Sequence, residues 1–254
     1  MKIRFNYLKI FSQDYPLGQM ISLVMSLGEM VKLAIFKPSR DLWMFFGLVF
    51  KVKPGYSMLS TVRLLTLYQL VKDVQQQGLL GDIVECGVGN GGASAIMARS
   101  YLDAGGNHER SIWVFDSFEG LPPPSERDGQ MVSQYYFKGF SKGNLDKVRF
   151  IFNKLSVPFD HVKVVTGWVE DTLPKNNLKQ VALLHIDTNW YESVKAALDN
   201  IYDKVVVGGF IIVDDFLFFN GCRDAVLDFL KERGIEDKVR INKVDRSAVY
   251  FQKV

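Results

Sequence analysis

Two short apolar runs in this chain each end in aspartate: Leu183-Leu184-His185-Ile186-Asp187, and Gly208-Gly209-Phe210-Ile211-Ile212-Val213-Asp214-Asp215. Such runs read as strands buried on both faces, and polar groups at their carboxyl ends fall where open α/β sheets bind ligands. Three carboxylates gathered there repel one another unless a cation or a shared proton compensates them. Oxygen-only ligands suit a hard divalent ion such as magnesium, so Asp187, Asp214 and Asp215 are the candidate metal ligands. The plainer alternative leaves Asp187 and Asp214 as caps of the helices that follow.

A second group comes earlier. Glu85-Cys86-Gly87-Val88-Gly89-Asn90-Gly91-Gly92 follows a strand-like run and opens a helix. Glycines there let the backbone approach a ligand closely, and the amides of a helix start receive a carboxylate or phosphate. Gly87, Gly89 and Gly92 satisfy GxGxxG, which admits a dinucleotide. Glu85 points elsewhere, because an anion inside the turn repels a pyrophosphate but pairs with an ammonium group such as the α-amino group of S-adenosylmethionine. Asp116 closes the next strand, where a carboxylate holds the ribose hydroxyls of either ligand. Its alternative is to start a turn with Ser117.

The elements that position these groups follow from periodicity. Short apolar strands are expected at 82–86, 111–116, 161–166, 181–187 and 210–214, alternating with helices near 93–102, 145–155, 191–202 and 222–233, which predicts a mainly parallel sheet. Runs at 239–244 and 247–251, joined by Asp245-Arg246, predict a closing antiparallel hairpin. Ser60 is placed to cap a helix carrying Leu64, Leu67, Tyr68, Val71 and Val74 at a 3.6 period. Residues 118–143, with Pro122-Pro123-Pro124 and scattered glycines, have no period and read as a long loop over the site, which together with Phe216–Asn220 would line a substrate pocket.

The N-terminal part is the least ordinary. Between Met20 and Phe36 only Ser22, Ser26, Gly28, Glu29 and Lys32 interrupt an apolar helix, and residues 42–50 add a second apolar run. Helices this apolar are buried, packed on a partner or laid on lipid. Neither reaches the roughly 18 to 20 residues of a membrane span. We therefore expect residues 1–53 to be a helical arm that makes a homo-oligomer or serves as a lid, with membrane contact disfavoured, and residues 54–254 to be the ligand-binding domain.

Composition excludes other classes. The 254 residues are 48% hydrophobic, enough for a sizeable core, and 31 basic against 28 acidic side chains give a net charge of only +3, too small to imply nucleic acid. Cys86 and Cys222 have no CxxC partner and cannot make a disulfide framework, which fits a cytoplasmic setting. Lys2, Arg4 and Lys9 stand among aromatics without an apolar signal region.

Taken together, Val84-Glu85-Cys86-Gly87-Val88, Asp116-Ser117-Phe118-Glu119-Gly120-Leu121-Pro122, Gly167-Trp168 with Asp171-Thr172-Leu173-Pro174, Ile186-Asp187 with Tyr191-Glu192-Ser193, and Gly208 to Asp215 with Gly221-Cys222-Arg223 resemble the macrocin O-methyltransferase (TylF-like) family over roughly residues 55–251. The resemblance implies a Rossmann-like class I methyltransferase fold with a seven-stranded sheet, S-adenosylmethionine as donor, and magnesium-dependent transfer to a hydroxyl of a small-molecule acceptor, often a sugar of a natural product. It assigns Asp187, Asp214 and Asp215 to the metal, and Met58, Glu85, Gly87, Gly89, Asn90, Asp116, Ser117, Gly167, Trp168 and Asp187 to the donor, with Tyr56 and Ser57 beside Met58 in a lid. Trp168 reads equally as a core residue.

One position departs from that pattern. Many relatives carry an aspartate, proposed as the general base, where this chain has Asn189, and a neutral amide takes no proton. Base catalysis is worth roughly 10² to 10⁴ in rate. The alternatives are an acceptor oxygen that is already acidic (phenol, catechol or carboxylate), a substitute base such as His185, which strand alternation places on the side of Asp187, or a protein that binds the donor without turnover. A nicotinamide-dependent oxidoreductase also accounts for the glycines and Asp116, yet leaves Asp214 and Asp215 without a task.

Overall fold

In the computed structural model, which describes residues 16–36, 39–107 and 109–254, the alternation of apolar runs and amphipathic stretches produces a three-layered α/β body behind a helical arm. Lys2, Arg4 and Lys9 lie outside the described residues. The arm is α1 (Pro16–Phe36) and α2 (Arg40–Val52). After it come α3 (Thr61–Gln76), β1 (Asp82–Cys86), α4 (Gly92–Asp103), β2 (Ile112–Asp116), α5 (Gln130–Tyr135), α6 (Leu145–Lys154), β3 (Val162–Thr166) and α7 (Val169–Thr172). The chain ends with β4 (Val181–Ile186), α8 (Tyr191–Ile201), β5 (Val205–Val213), α9 (Asn220–Glu232), β6 (Asn242–Lys243) and β7 (Val249–Gln252).

The sheet runs β3-β2-β1-β4-β5-β7-β6. Its first five strands are parallel, and β7 is antiparallel to both neighbours. The order reverses between β1 and β4, the point at which open sheets of this kind leave a ligand crevice beyond the strand ends. Ser60 caps α3 as expected, its hydroxyl accepting from the Arg63 amide at 3.1 Å.

Three expectations shift. β5 starts at Val205 rather than Phe210: Val181 pairs with Val205 but Leu183 with Phe210, so the residues between bow out of register. Gly208 takes φ 79° there, and its amide bonds Lys253 O at 2.9 Å, so the glycine pair ahead of the expected strand is an irregularity inside it. The closing hairpin pairs only Asn242–Lys243 with β7. Residues 118–143 contain a helical turn at Glu126–Asp128 and α5, too short to show a period. Asp128 pins them by accepting from Ser125 N at 2.8 Å and Tyr191 N at 2.8 Å.

The two arm helices behave differently. α2 buries Leu42, Phe45, Phe46, Val49 and Val52 in the same core as α3, α4 and the sheet. On α1, Met30 is buried but Met20, Val24, Leu27, Val31 and Ile35 are exposed, a stripe at steps of four, three, four and four. No helix among the described residues is long and apolar enough to cross a membrane.

Candidate functional site

Strand register builds the site. Cys86 pairs with Ile186, and Ile186 with Val213, so Gly87, Asp187 and Asp214 emerge side by side at the next step. The Asp187 amide bonds Cys86 O at 2.8 Å and the Asp214 amide bonds Ile186 O at 3.0 Å, which fixes both backbones. Gly87 serves this junction: a Cβ there would lie 2.1 Å from Asp187 O. Gly92 likewise serves the strap that follows the arm, where a Cβ would lie 2.5 Å from Tyr56 O. Gly89 alone matches the expected approach to a ligand, with φ 55° and nothing within 4 Å of a Cβ.

A cavity of about 1080 Å³ opens above these strand ends, at the upper end of the roughly 300–1,000 Å³ usual for one drug-sized ligand. Met58, Glu85, Gly87, Gly89, Asn90, Asp116, Ser117, Trp168, Asp187, Asn189, Asp214 and Asp215 all reach its wall, whereas Gly167 and His185 do not. Gly167 acts one step back, its amide on Asp116 O at 3.0 Å, and so sets Trp168 in the wall. Asp116 braces the glycine loop: Oδ2 accepts from Val88 N at 2.7 Å and Gly89 N at 2.8 Å, and Oδ1 from Phe118 N at 2.6 Å. Burial holds its carboxyl above the ordinary range against those amides. Ser117 Oγ accepts from Glu119 N at 3.1 Å, closing the turn.

The other side of the cavity is made of charge. Glu85 accepts from His185 Nδ1 at 2.9 Å through Oε1 and from the Ser94 hydroxyl through Oε2, so its carboxylate is anchored on the protein side of the cavity wall. His185 is fully buried, and its second nitrogen meets Asp214 Oδ1 at 3.2 Å. Burial opposes the imidazolium, but hydrogen bonds to Asp214 and Glu85 raise His185 to about 10. With both nitrogens engaged and neither facing the cavity, His185 is not the substitute base its strand position suggested.

Asp214 Oδ2 is taken by Arg63, whose Nε also holds Asp245 Oδ2 at 3.0 Å. Asp215 accepts from Asn189 Nδ2 at 2.7 Å and from Ser247 Oγ at 2.8 Å. Burial and Asp214 push its carboxyl up to about 6. Asp187 accepts no side-chain hydrogen bond among the described residues, and burial together with Asp214 and Asp215 raises its carboxyl well above the ordinary range. Sequence reasoning missed Arg63, Asp245 and Ser247, because the contacts span 151 and 182 residues of chain.

This donor set fits a cation. Among the described residues, the cations paired with Glu85, Asp187, Asp214, Asp215 and Asp245 are His185 and Arg63. Donor atoms of His185, Asp187 and Asp214 lie within 4.8 Å of one another, although His185 has no lone pair left to ligate. A hard divalent ion would take Asp187 and Asp215 first.

The arm completes the wall with its polar side: Gln19, Ser22, Ser26 and Glu29 line the cavity beside Lys53. Lys53 Nζ donates to Ser22 Oγ at 3.2 Å, and Glu29 Oε2 accepts from Thr61 N at 2.6 Å. Burial pushes the Lys53 ammonium down to about 8 against the pull of Glu29. The opposite wall carries Leu121, Pro122, Phe137, Phe140, Phe218 and Phe219, as the loop reading expected; Phe216 is core.

Comparison with known proteins agrees with this geometry. The sequence profile of the macrocin-O-methyltransferase (TylF) family matches residues 51–253. The chain is 35% identical over 201 residues (78% of this chain, 76% of the other) to the 8-demethyl-8-(2,3-dimethoxy-alpha-L-rhamnosyl)-tetracenomycin-C 4'-O-methyltransferase of Streptomyces olivaceus. It is 35% identical over 203 residues (78% and 76%) to the demethyldecarbamoylnovobiocin O-methyltransferase of Streptomyces niveus. Among solved structures, the O-methyltransferase NovP superposes with a TM-score of 0.72 at 33% identity, covering 79% of this chain and 83% of that one. The calicheamicin methyltransferase CalS11 superposes with a TM-score of 0.64 at 20% identity, covering 96% of each, and shares the fold.

Proposed function

Since the chain belongs to the macrocin-O-methyltransferase family of S-adenosylmethionine-dependent O-methyltransferases, we propose that it methylates a hydroxyl oxygen of a natural-product intermediate, on a sugar or aromatic ring, with magnesium at Asp187, Asp214 and Asp215. One observation carries the proposal: three carboxylates from adjacent strand ends share a cavity with the glycine loop, and the buried cations beside them do not balance their charge. The nicotinamide reading falls with family membership. When bound, S-adenosylmethionine supplies a methyl group on a positively charged sulfur, and magnesium supplies positive charge at the carboxylate corner.

The residues divide the remaining work. Gly89 gives the donor room beside amides held by Asp116. Asp187, Asp214 and Asp215 would hold the ion, which would supply positive charge for the acceptor oxygen, and the backbone bonds that fix the ends of β4 and β5 keep these carboxylates in place. Alignment of this kind is worth on the order of 7 to 11 kcal/mol. The arm and the phenylalanine-bearing loops enclose the acceptor and exclude water. A second copy of the chain, packed on the exposed stripe of α1, is the partner we expect, and sedimentation at several protein concentrations tests it.

Proton removal separates two acceptor classes. Asn189 spends its amide on Asp215 and His185 is enclosed, which favours an oxygen that is already acidic, a phenol or catechol, over a sugar hydroxyl.

Calorimetric titration with S-adenosylhomocysteine and with NAD tests donor class, and methyl transfer to demethyldecarbamoylnovobiocin or to cell extract, with and without chelator, tests the metal. Binding of S-adenosylhomocysteine with chelator-sensitive transfer is expected; full transfer under chelator removes the metal. A gain of transfer to sugar hydroxyls in Asn189→Asp would support the acidic-oxygen reading for the natural chain, and donor binding with no transfer by either protein would leave a binding protein.

A further inference from the structure

We infer that Arg63 is an internal competitor of the divalent cation for Asp214, so that an ion bound by all three carboxylates displaces the guanidinium. The inference rests on the metal reading above. Asp214 is buried and both of its oxygens face positive or donating groups, His185 Nε2 on one and Arg63 on the other. Asp215 has only neutral donors, the Asn189 amide and the Ser247 hydroxyl, which leave lone pairs for an ion. Asp187 accepts no side-chain hydrogen bond among the described residues.

An entering cation therefore meets two available carboxylates and a third already neutralised. Arg63 cannot share the ion, because a guanidinium has donors and no lone pair, and two positive charges would face each other at contact distance. It has somewhere to go. Its Nε is moored to Asp245 Oδ2 at 3.0 Å, and Asp245 is fixed in turn by the Ser60 hydroxyl at 2.6 Å and by the amides of Ser247 and Ala248 at 2.8 and 2.9 Å. Releasing Asp214 needs a rotation of one side chain and leaves α3 and the turn between β6 and β7 joined. Arg63 thus sets the affinity of the corner for the ion, and the ion decides whether α3 is tied to the tip of β5.

The test is Mn²⁺ titration of the full-length chain, free ion being read by electron paramagnetic resonance, for the wild type, Arg63→Gln and Arg63→Lys without acceptor. S-adenosylhomocysteine calorimetry on each protein reports the fold and the donor site. Arg63→Gln is expected to bind Mn²⁺ on the order of tenfold tighter, with Arg63→Lys between the two. Equal or weaker Mn²⁺ binding by Arg63→Gln overturns the inference and leaves the metal reading standing. No Mn²⁺ binding by any of the three, with S-adenosylhomocysteine still bound, overturns both. If Arg63→Gln does not fold, the Arg63 Nη–H resonances of the wild type, assigned with Arg63→Lys, are followed as Mg²⁺ is added: loss of the Asp214-bonded Nη–H signal at saturation supports displacement, and unmoved Nη–H resonances overturn it.

Discussion

The two sides of the cavity are built from different materials. The glycine-loop side is backbone: one contiguous stretch, 85–92, whose Val88 and Gly89 amides are braced by Asp116 and whose Gly87, Gly91 and Gly92 answer to close approaches of other chain segments. The carboxylate side is charge contributed by α3, the ends of β4 and β5, and the turn before β7. A site made of backbone is specified by local sequence and responds mainly to steric change. A site made of ionised side chains depends on partners far apart in the chain and answers to pH, ions and the loss of a single counter-charge.

Four substitutions sharpen that contrast. The largest effect belongs to His185→Phe, which leaves Glu85 and Asp214 buried without their shared cation and should cost about 3–5 kcal/mol in chemical denaturation. The same residue gives a pH signature. Its pKa is raised to about 10, so the stability it contributes is complete below its ordinary 6.5 and is lost as pH rises through 10. The wild-type melting temperature should therefore fall across that window, and a variant lacking the imidazole should lose the slope. Next comes Asp187→Asn, expected to lower methyl transfer on the order of 10²–10³-fold while S-adenosylhomocysteine binds nearly as before; a matching loss of donor affinity would erase the division between the two sides.

On the backbone side the effects are smaller. Asp116→Ala removes the brace of the Val88 and Gly89 amides and should weaken S-adenosylhomocysteine roughly 10- to 100-fold, the range of hydrogen bonds to a charged group. Mn²⁺ affinity should not move. Gly89→Ala puts a side chain at φ 55° with open space around it, so the expected cost is only the backbone penalty, about 1–2 kcal/mol in thermal unfolding.

The same contrast explains what could be read in advance. Buried strands that end in acids, a glycine loop between strand and helix, and Ser60 before an amphipathic helix are local patterns, and they yielded the sheet, the joining of Asp187 to Asp214, and the cap of α3. Arg63, Asp245 and Lys53 carry no local mark. Arg63 sits among the apolar residues of a helix whose period reveals only its packing face, and its partners lie just past β5 and in the turn between β6 and β7, which the topology alone brings near. His185 shows the same limit: strand alternation places it beside Asp187, while its partners Glu85 and Asp214 come from other strands.

The first helix wears its polar face inward. Ser22, Ser26 and Glu29 turn to the cavity while Met20, Val24 and Ile35 meet solvent. The helix is held both by Met30, Leu33 and Ala34 packed on the core and by the contacts of Glu29 with Thr61 and Lys53 with Ser22. Because Ser22, Ser26 and Glu29 form part of the cavity wall, a substitution on that face of α1 changes the pocket lining itself.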